Sequence, residues 1–303
     1  MTTNCHDQTV LRVPKTQWDF CPSIAAAYVF AVLFAIATLV HLAQALLYRK
    51  VYCWAIIMGN LLQFIAYVLR VLSINNADSL GLYSGWFVLI AIAPVWLNAF
   101  VYMVMGRMVW NCTSTGKLGF LSAWRFGQVF LGLDILALVI QLYGAATAAD
   151  TTAKPSTILQ GLHTYMGGLG VQQFFICVFL VFSLRLYGCI RGNSAGIQQK
   201  QFIRLLCVEY AVIVLITARI IFRLIEYSNG IHSSIPRHEV YQYCLDSLLM
   251  LIGSTLFNVV HPGRIMPGIA HDLPSRKDRK PRDSWKQRGN LLSLESFRGN
   301  ESA

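Results

Sequence analysis

The chain has 303 residues, 55% of them hydrophobic and 13% charged, where a soluble domain usually carries about a quarter charged residues. That deficit excludes a soluble core, and the apolar stretches leave no length for a separate soluble catalytic domain. The net charge of +11 does not indicate a nucleic-acid partner, because no basic soluble fold is available to present it; in a membrane chain, Lys and Arg collect in the cytoplasmic loops.

Residues 1–23 are polar, with Asp7, Lys15, Trp18 and Asp19, and lack the cationic start, short apolar core and small-residue cleavage site of a secretory signal. They are expected to form an extracellular tail, with the first span as an uncleaved insertion signal. Cys5 and Cys21 share this tail and are the one pair placed to bridge in an oxidising compartment. Seven apolar stretches follow, at about 24–47, 52–73, 83–106, 126–147, 164–184, 203–227 and 240–260. A helix needs about 20 such residues to cross roughly 30 Å of hydrocarbon. None of the stretches alternates with period two, so helices are favoured over a barrel. The expected fold is an all-α integral membrane protein, a seven-transmembrane-helix bundle over residues 24–263. Pro94 should loosen or kink span three, and Gly167, Gly168 and Gly170 should let span five approach a neighbour closely.

Positive charge alternates between the spans. Arg49 and Lys50 follow span one; Arg107, Lys117 and Arg125 follow span three; Arg185, Arg191, Lys200 and Arg204 follow span five; nine more lie from Arg264 onward. These eighteen oppose four on the other side, namely Arg12, Lys15, Lys154 and Arg237. The bias predicts the N-terminus outside and the C-terminus cytoplasmic. The sequon Asn111-Cys112-Thr113 then faces the cytoplasm and is expected to be unused. Residues 264–303 read as a basic, disordered cytoplasmic tail, in which the run Arg276 to Arg282 is attracted to anionic lipid headgroups.

Ionisable groups at membrane depth are costly and usually face the bundle interior in pairs. Arg219, Arg223 and Glu226 are spaced by four and three, which puts them on one face of span six, in its outer half. Asp246 lies in the outer half of span seven and Arg70 at the outer end of span two, so three cations and two anions share one depth. Asp246 with Arg219 or Arg223 is the expected pair. The set is either a structural network that fixes helix packing or the lining of a polar cavity for a ligand headgroup. Its surplus cations suit an anionic group, and its carboxylates suit an amine. Asp134 stands mid-span in span four with no cation at its depth, and Gln141 lies two turns further out. Together with Gln63 they are candidates for coupling or packing, Asp134 for proton coupling in particular. There is no GxxxxGK[ST], no HExxH, no GxSxG and no CxxC or Cys/His metal spacing. Direct ATP-driven pumping, enzymatic activity, a metal and any other cofactor are therefore not expected.

Span six continues as Arg219-Ile220-Ile221-Phe222-Arg223-Leu224-Ile225-Glu226-Tyr227-Ser228-Asn229-Gly230, followed by His238-Glu239, Tyr243, Asp246 and Phe257-Asn258-Val259-Val260-His261-Pro262-Gly263. This run closely resembles the RTA-like family of fungal seven-helix proteins, the lipid-translocating exporter family. Tyr67 and Arg70, then Pro94, Tyr102 and Arg107, then Asp134, Gln141 and Gly144, and then Gly168-Leu169 with Gln172 match its earlier helices, so that the resemblance covers about residues 22–263. The family often has Glu where this chain has Gln63, which removes a carboxylate able to pair with Arg70. The resemblance implies a non-enzymatic transporter or exporter of amphiphilic lipids, such as sphingoid long-chain bases or toxic amphiphiles, in the plasma membrane. Its partners would be membrane lipids or amphiphilic small molecules. The alternative is a seven-helix lipid sensor or receptor, which would share the topology, although no Asp-Arg-Tyr ends span three.

Overall fold

A computed structural model describes residues 16–18, 20–149, 154–192, 196–228, 238–268 and 271–273. Among them, seven helical stretches are long and apolar enough to cross a membrane. The first is α1 (Ile24–Tyr48), which starts where Ser23 is extended and its hydroxyl accepts from the Ala26 N–H at 3.3 Å. It ends at Arg49, whose left-handed backbone (φ 52°) turns the chain back. A 3-10 turn over Val51–Cys53 leads into α2 (Trp54–Asn75), followed by α3 (Leu80–Cys112). A two-residue hairpin, β1 (Lys117–Leu118) antiparallel to β2 (Leu121–Ser122) with Lys117 opposite Ser122, precedes α4 (Ala123–Ala148). Then come α5 (Pro155–Gly192) and α6 (Ile197–Ser228). The seventh span is assembled from α7 (Glu239–Gln242), a π-helical turn at Tyr243–Ser247, α8 (Leu248–Val259) and α9 (Pro262–Ile265).

Each expected span lies within or close to one of these stretches, and the main difference is in α5, which begins well before residue 164. At 1.5 Å per residue its 38 residues extend about 57 Å, more than the roughly 40–45 Å of a bilayer with its headgroups. The apolar run marks only the part of such a helix that sits in hydrocarbon.

Spans adjacent in sequence pack side by side, and α8 closes the ring between α6 and α1 while also touching α2 and α3. The central position falls to α3, the most enclosed of the seven. Between α3, α4 and α5 the core is aromatic: Tyr102 meets Phe179 edge-on at 4.7 Å, and Phe130 meets Phe179 at 5.1 Å. The outward residues of the spans, such as Leu39, Val139 and Val181, are exposed and apolar, as a surface bathed in acyl chains requires. Helix association in lipid depends on close packing rather than on the hydrophobic effect, and the α4–α5 seam shows how closely. A Cβ on Gly161 would lie 2.6 Å from the Ala148 nitrogen and 2.9 Å from the Gly144 carbonyl oxygen. Of the three glycines singled out in span five, Gly168 serves this seam, whereas Gly167 and Gly170 face open space.

After α8 the chain folds back under the bundle. His261 caps α9 by accepting from the Gly263 N–H at 3.0 Å and stacks on Tyr48 at 4.7 Å. The buried Lys50 ammonium then holds the Gly268 carbonyl at 2.7 Å and Asp272 at 3.0 Å. Asn111 donates to the His271 carbonyl at 3.1 Å, so the sequon amide is engaged within the fold. Cys21 is disulfide-bonded. Cys5, and the basic run Arg276 to Arg282, lie outside the described residues.

Candidate functional site

The charged residues gather at the end of the bundle where α1 begins, the N-side. Steps of four and three return to one helical face, so α6 presents Arg219, Arg223 and Glu226 inward, all three buried. Span seven meets this stripe with its π-helical turn, in which the Leu248 N–H donates to the Tyr243 carbonyl five residues back. The widened turn buries Tyr243, Asp246 and Ser247 together and leaves Cys244 and Leu245 outward. Such turns are rare and frequent at functional sites. Asp246 thereby reaches both arginines, one carboxylate oxygen on Arg219 Nε and the other on Arg223. Arg223 also holds Glu226 at 2.9 Å. Arg219 donates in addition to the Ile90 carbonyl at 3.4 Å. That acceptor is available because the residue four positions on is Pro94, which has no N–H to offer it. The proline leaves α3 continuous and supplies a backbone ligand to the charged core.

Arg70 stands apart from these four. It pairs with Glu239 at 2.6 Å and donates to Gln242 Oε1 at 3.2 Å. Its guanidinium is faced by the rings of Trp18, Trp86 and Tyr243 at 5.0, 4.3 and 5.2 Å. Tyr67 links the two groups: its hydroxyl bonds Ser247, beside Asp246, and its ring stacks with Tyr243 at 5.9 Å. Glu239 also accepts from the Ser23 N–H at 2.7 Å, which ties the start of α1 to span seven. The charges of the N-side set therefore balance, Arg70, Arg219 and Arg223 against Glu226, Glu239 and Asp246. The surplus of cations expected from sequence disappears because Glu239 joins the set. A carboxylate at the margin of a span reads as solvated, and nothing local reports that Arg70 lies across from it. Trp18, Trp86 and Gln242 were equally invisible as site residues.

The space between Arg219, Arg223, Gln141 and Tyr165 is about 10 Å³, room for about one water. A second void of about 10 Å³ adjoins Gln63, Asn60 and Ser254. Among the described residues, the polar core therefore leaves room for about one water beside Arg219 and Arg223 in this conformation. A larger space lies on the other side of the same helices. Ala218, Ile221, Phe222, Ile225, Tyr241 and Leu245 line a groove of about 330 Å³ between α6 and span seven, on the lipid-facing surface. Phe222 precedes Arg223 and Leu245 precedes Asp246, so groove and network are two faces of the same helix pair.

Asp134 belongs to a separate cluster nearer the middle of the bundle. Its Oδ2 accepts from Asn98 Nδ2 at 2.8 Å and from the Tyr102 hydroxyl at 3.0 Å, while Oδ1 has no hydrogen-bond partner among the described residues. Gln141 does not join it but donates to Gln172 at 3.1 Å. Glu209, further along α6, is fully buried, and neither carboxylate oxygen has a hydrogen-bond partner among the described residues. Among those residues no three His, Cys, Asp or Glu side chains converge on a metal position.

Seven apolar helices around an ion-paired interior define a multi-pass integral membrane protein that carries its charged groups inside the bundle. The chain belongs to the RTA1-like family, whose model, described as RTA1 like protein, matches residues 56–269. It is 38% identical over 270 residues to a probable lipid transporter, atnI, of Emericella nidulans, with 85% of this chain and 70% of that protein covered. It is 23% identical over 288 residues to the sphingoid long-chain base transporter RSB1 of Saccharomyces cerevisiae, with 84% and 75% covered. It is also 26% identical over 277 residues to the lipid-translocating exporter-like protein RTA1 of Leptosphaeria maculans, with 83% and 52% covered. No solved structure matches the chain.

Proposed function

We propose that this protein is a transporter of amphiphilic lipids, with sphingoid long-chain bases as the leading substrate class, acting in the plasma membrane with its N-side outside. The carrying observation is the back-to-back arrangement of the 330 Å³ apolar groove and the ion-paired core across α6 and span seven. The alkyl tail stays in the groove, in contact with lipid, while the headgroup crosses among Arg219, Arg223, Glu226 and Asp246 once their pairs open. This route spares a polar head the cost of entering hydrocarbon. The names of the three relatives support the substrate class. The disulfide at Cys21 supports an oxidising compartment on the N-side, in agreement with the charge bias of the loops. Net export then draws on a gradient, a coupled ion or removal of the product. Asp134, with one oxygen that has no hydrogen-bond partner among the described residues, is the candidate coupling residue, and the tail beyond residue 273 the candidate contact with anionic headgroups.

The test is transbilayer movement of a fluorescent sphingoid base in proteoliposomes of the purified full chain. Movement above empty liposomes is expected for the native protein. It should be lost in Asp246→Asn and in the charge-matched Asp246→Asn/Arg219→Gln. Movement unchanged in both folded variants overturns the route, and no movement by the folded native protein overturns the transport reading.

A further inference from the structure

The surroundings of Arg70 have the form of a binding site. Three aromatic rings from three separate elements, the N-terminal segment, α3 and span seven, face one cation at 4.3–5.2 Å. A carboxylate at 2.6 Å and an amide oxygen at 3.2 Å complete the enclosure. Aromatic faces attract cations through the ring quadrupole, and boxes of this kind recognise alkylammonium groups. The Trp86 indole N–H and Arg70 Nε–H have no hydrogen-bond partner among the described residues, so the ring faces and the Glu239 and Gln242 oxygens are what hold the cation. The Arg70 side chain is fully buried, whereas that of Glu239 is 11% exposed, so the carboxylate forms the open edge of the box. Arg70 reaches the box on its own flexible stem, which is how a built-in occupant would be supplied.

We propose that Trp18, Trp86, Tyr243 and Glu239 form an alkylammonium headgroup site, occupied in this closed conformation by Arg70 as a tethered stand-in that the incoming headgroup displaces. The occupant must be cationic, because a neutral group would leave the partly buried Glu239 without a counter-charge. A primary, secondary or quaternary amine meets the requirement, and an anionic headgroup is rejected. Displacement also frees the Glu239 and Gln242 end of span seven from α2, one turn before the π-helical segment that carries Asp246. Binding in the box is thereby linked to the pairs that close the core. The inference deepens the transport reading by naming its headgroup, and it rests on that reading only for this physiological role.

The experiment is a titration of the purified full chain in maltoside micelles with tetramethylammonium chloride, followed by tryptophan fluorescence against sodium chloride at equal ionic strength. If Arg70 fills the box at least nine-tenths of the time, removing it raises the apparent affinity about tenfold or more, since affinity scales with the fraction of competent sites. Arg70→Gln should therefore show a saturable change at least about tenfold tighter than the native chain, and a second substitution, Trp86→Leu, should abolish it. If Arg70→Gln does not elute as a single folded species, Arg70→Lys, whose single ammonium cannot hold the planar fork, takes its place and should also bind tighter than the native chain. Equal affinity in the native and Arg70-substituted chains, or binding that survives Trp86→Leu, overturns the proposal. Loss of transport with this binding intact would remove the transport reading and leave the site; transport with no such binding would remove the site alone.

Discussion

Asp246 serves two arginines with one carboxylate, and its neutralisation is the most searching test of the core. Asp246→Asn keeps the size of a side chain that is 2% exposed and removes only the charge. Arg223 retains Glu226 at 2.9 Å, but Arg219 is left with the Ile90 carbonyl at 3.4 Å. A buried guanidinium without a counter-ion costs about 3–5 kcal/mol, and that loss is the expected effect on stability. Adding Arg219→Gln removes the orphaned cation and leaves the Arg223–Glu226 pair in balance. The double variant should therefore be more stable than Asp246→Asn alone, although two additive losses would make it worse; a coupling of roughly 0.5–3 kcal/mol is expected for neighbours in one network. The assay is reversible unfolding by SDS in mixed micelles, followed by circular dichroism, on all four members of the cycle. A loss below about 1 kcal/mol for Asp246→Asn, the size found for solvent-exposed pairs, would refute the argument, as would strict additivity in the cycle.

Three other outcomes are expected. Gly161→Val drives a side chain into backbone atoms of α4 at 2.6–2.9 Å and should cost at least about 1–3 kcal/mol, whereas Gly167→Ala meets nothing within 4 Å and should be neutral or stabilise by up to about 1 kcal/mol; thermal unfolding of the two variants checks both. Lys50→Met removes the ammonium that holds Gly268 and Asp272, a charged hydrogen-bonded contact of about 1.5–3 kcal/mol, and trypsin should then cut after Arg264 faster than in the native chain. With native thiols blocked, Asp78→Cys, in the loop between α2 and α3, should react with an impermeant maleimide on intact cells, while Ile197→Cys at the start of α6 should react only after permeabilisation; the opposite pattern would overturn the proposed orientation.

The charged core was partly legible in the sequence. Arg219, Arg223 and Glu226 share a face because helical periodicity alone puts them there, and Asp246 was recognisable as a costly carboxylate in need of a cation. Its pairing with Arg219 or Arg223 was legible too, but not that it would reach both at once, since that depends on how far α6 and span seven rotate about their own axes. The π-helical turn sets that rotation for Tyr243, Asp246 and Ser247, and it has no signature in the run Tyr-Cys-Leu-Asp-Ser. Arg70 was visible, but its cage was not. Trp18 looked like part of a polar tail, Glu239 entered only through the run that carries the family resemblance, and Trp86 lay unremarked within span three.

The sequence by itself determined the seven crossings, because a backbone in hydrocarbon must satisfy its own hydrogen bonds and each apolar run of sufficient length therefore becomes a helix. It also determined the alternation of charge between the loops, which is a property of composition along one dimension. Only the tertiary structure decided which helix faces meet, that among the described residues the paired charges within the bundle cancel three against three and leave only about 10 Å³ beside Arg219 and Arg223, that an apolar groove of about 330 Å³ lies open to lipid on the other side of those helices, and that Arg70 sits among three aromatic rings. These depend on contacts between residues as many as 225 positions apart, such as Trp18 and Tyr243 around one guanidinium. No local pattern encodes such contacts, because they come into being only when the helices pack.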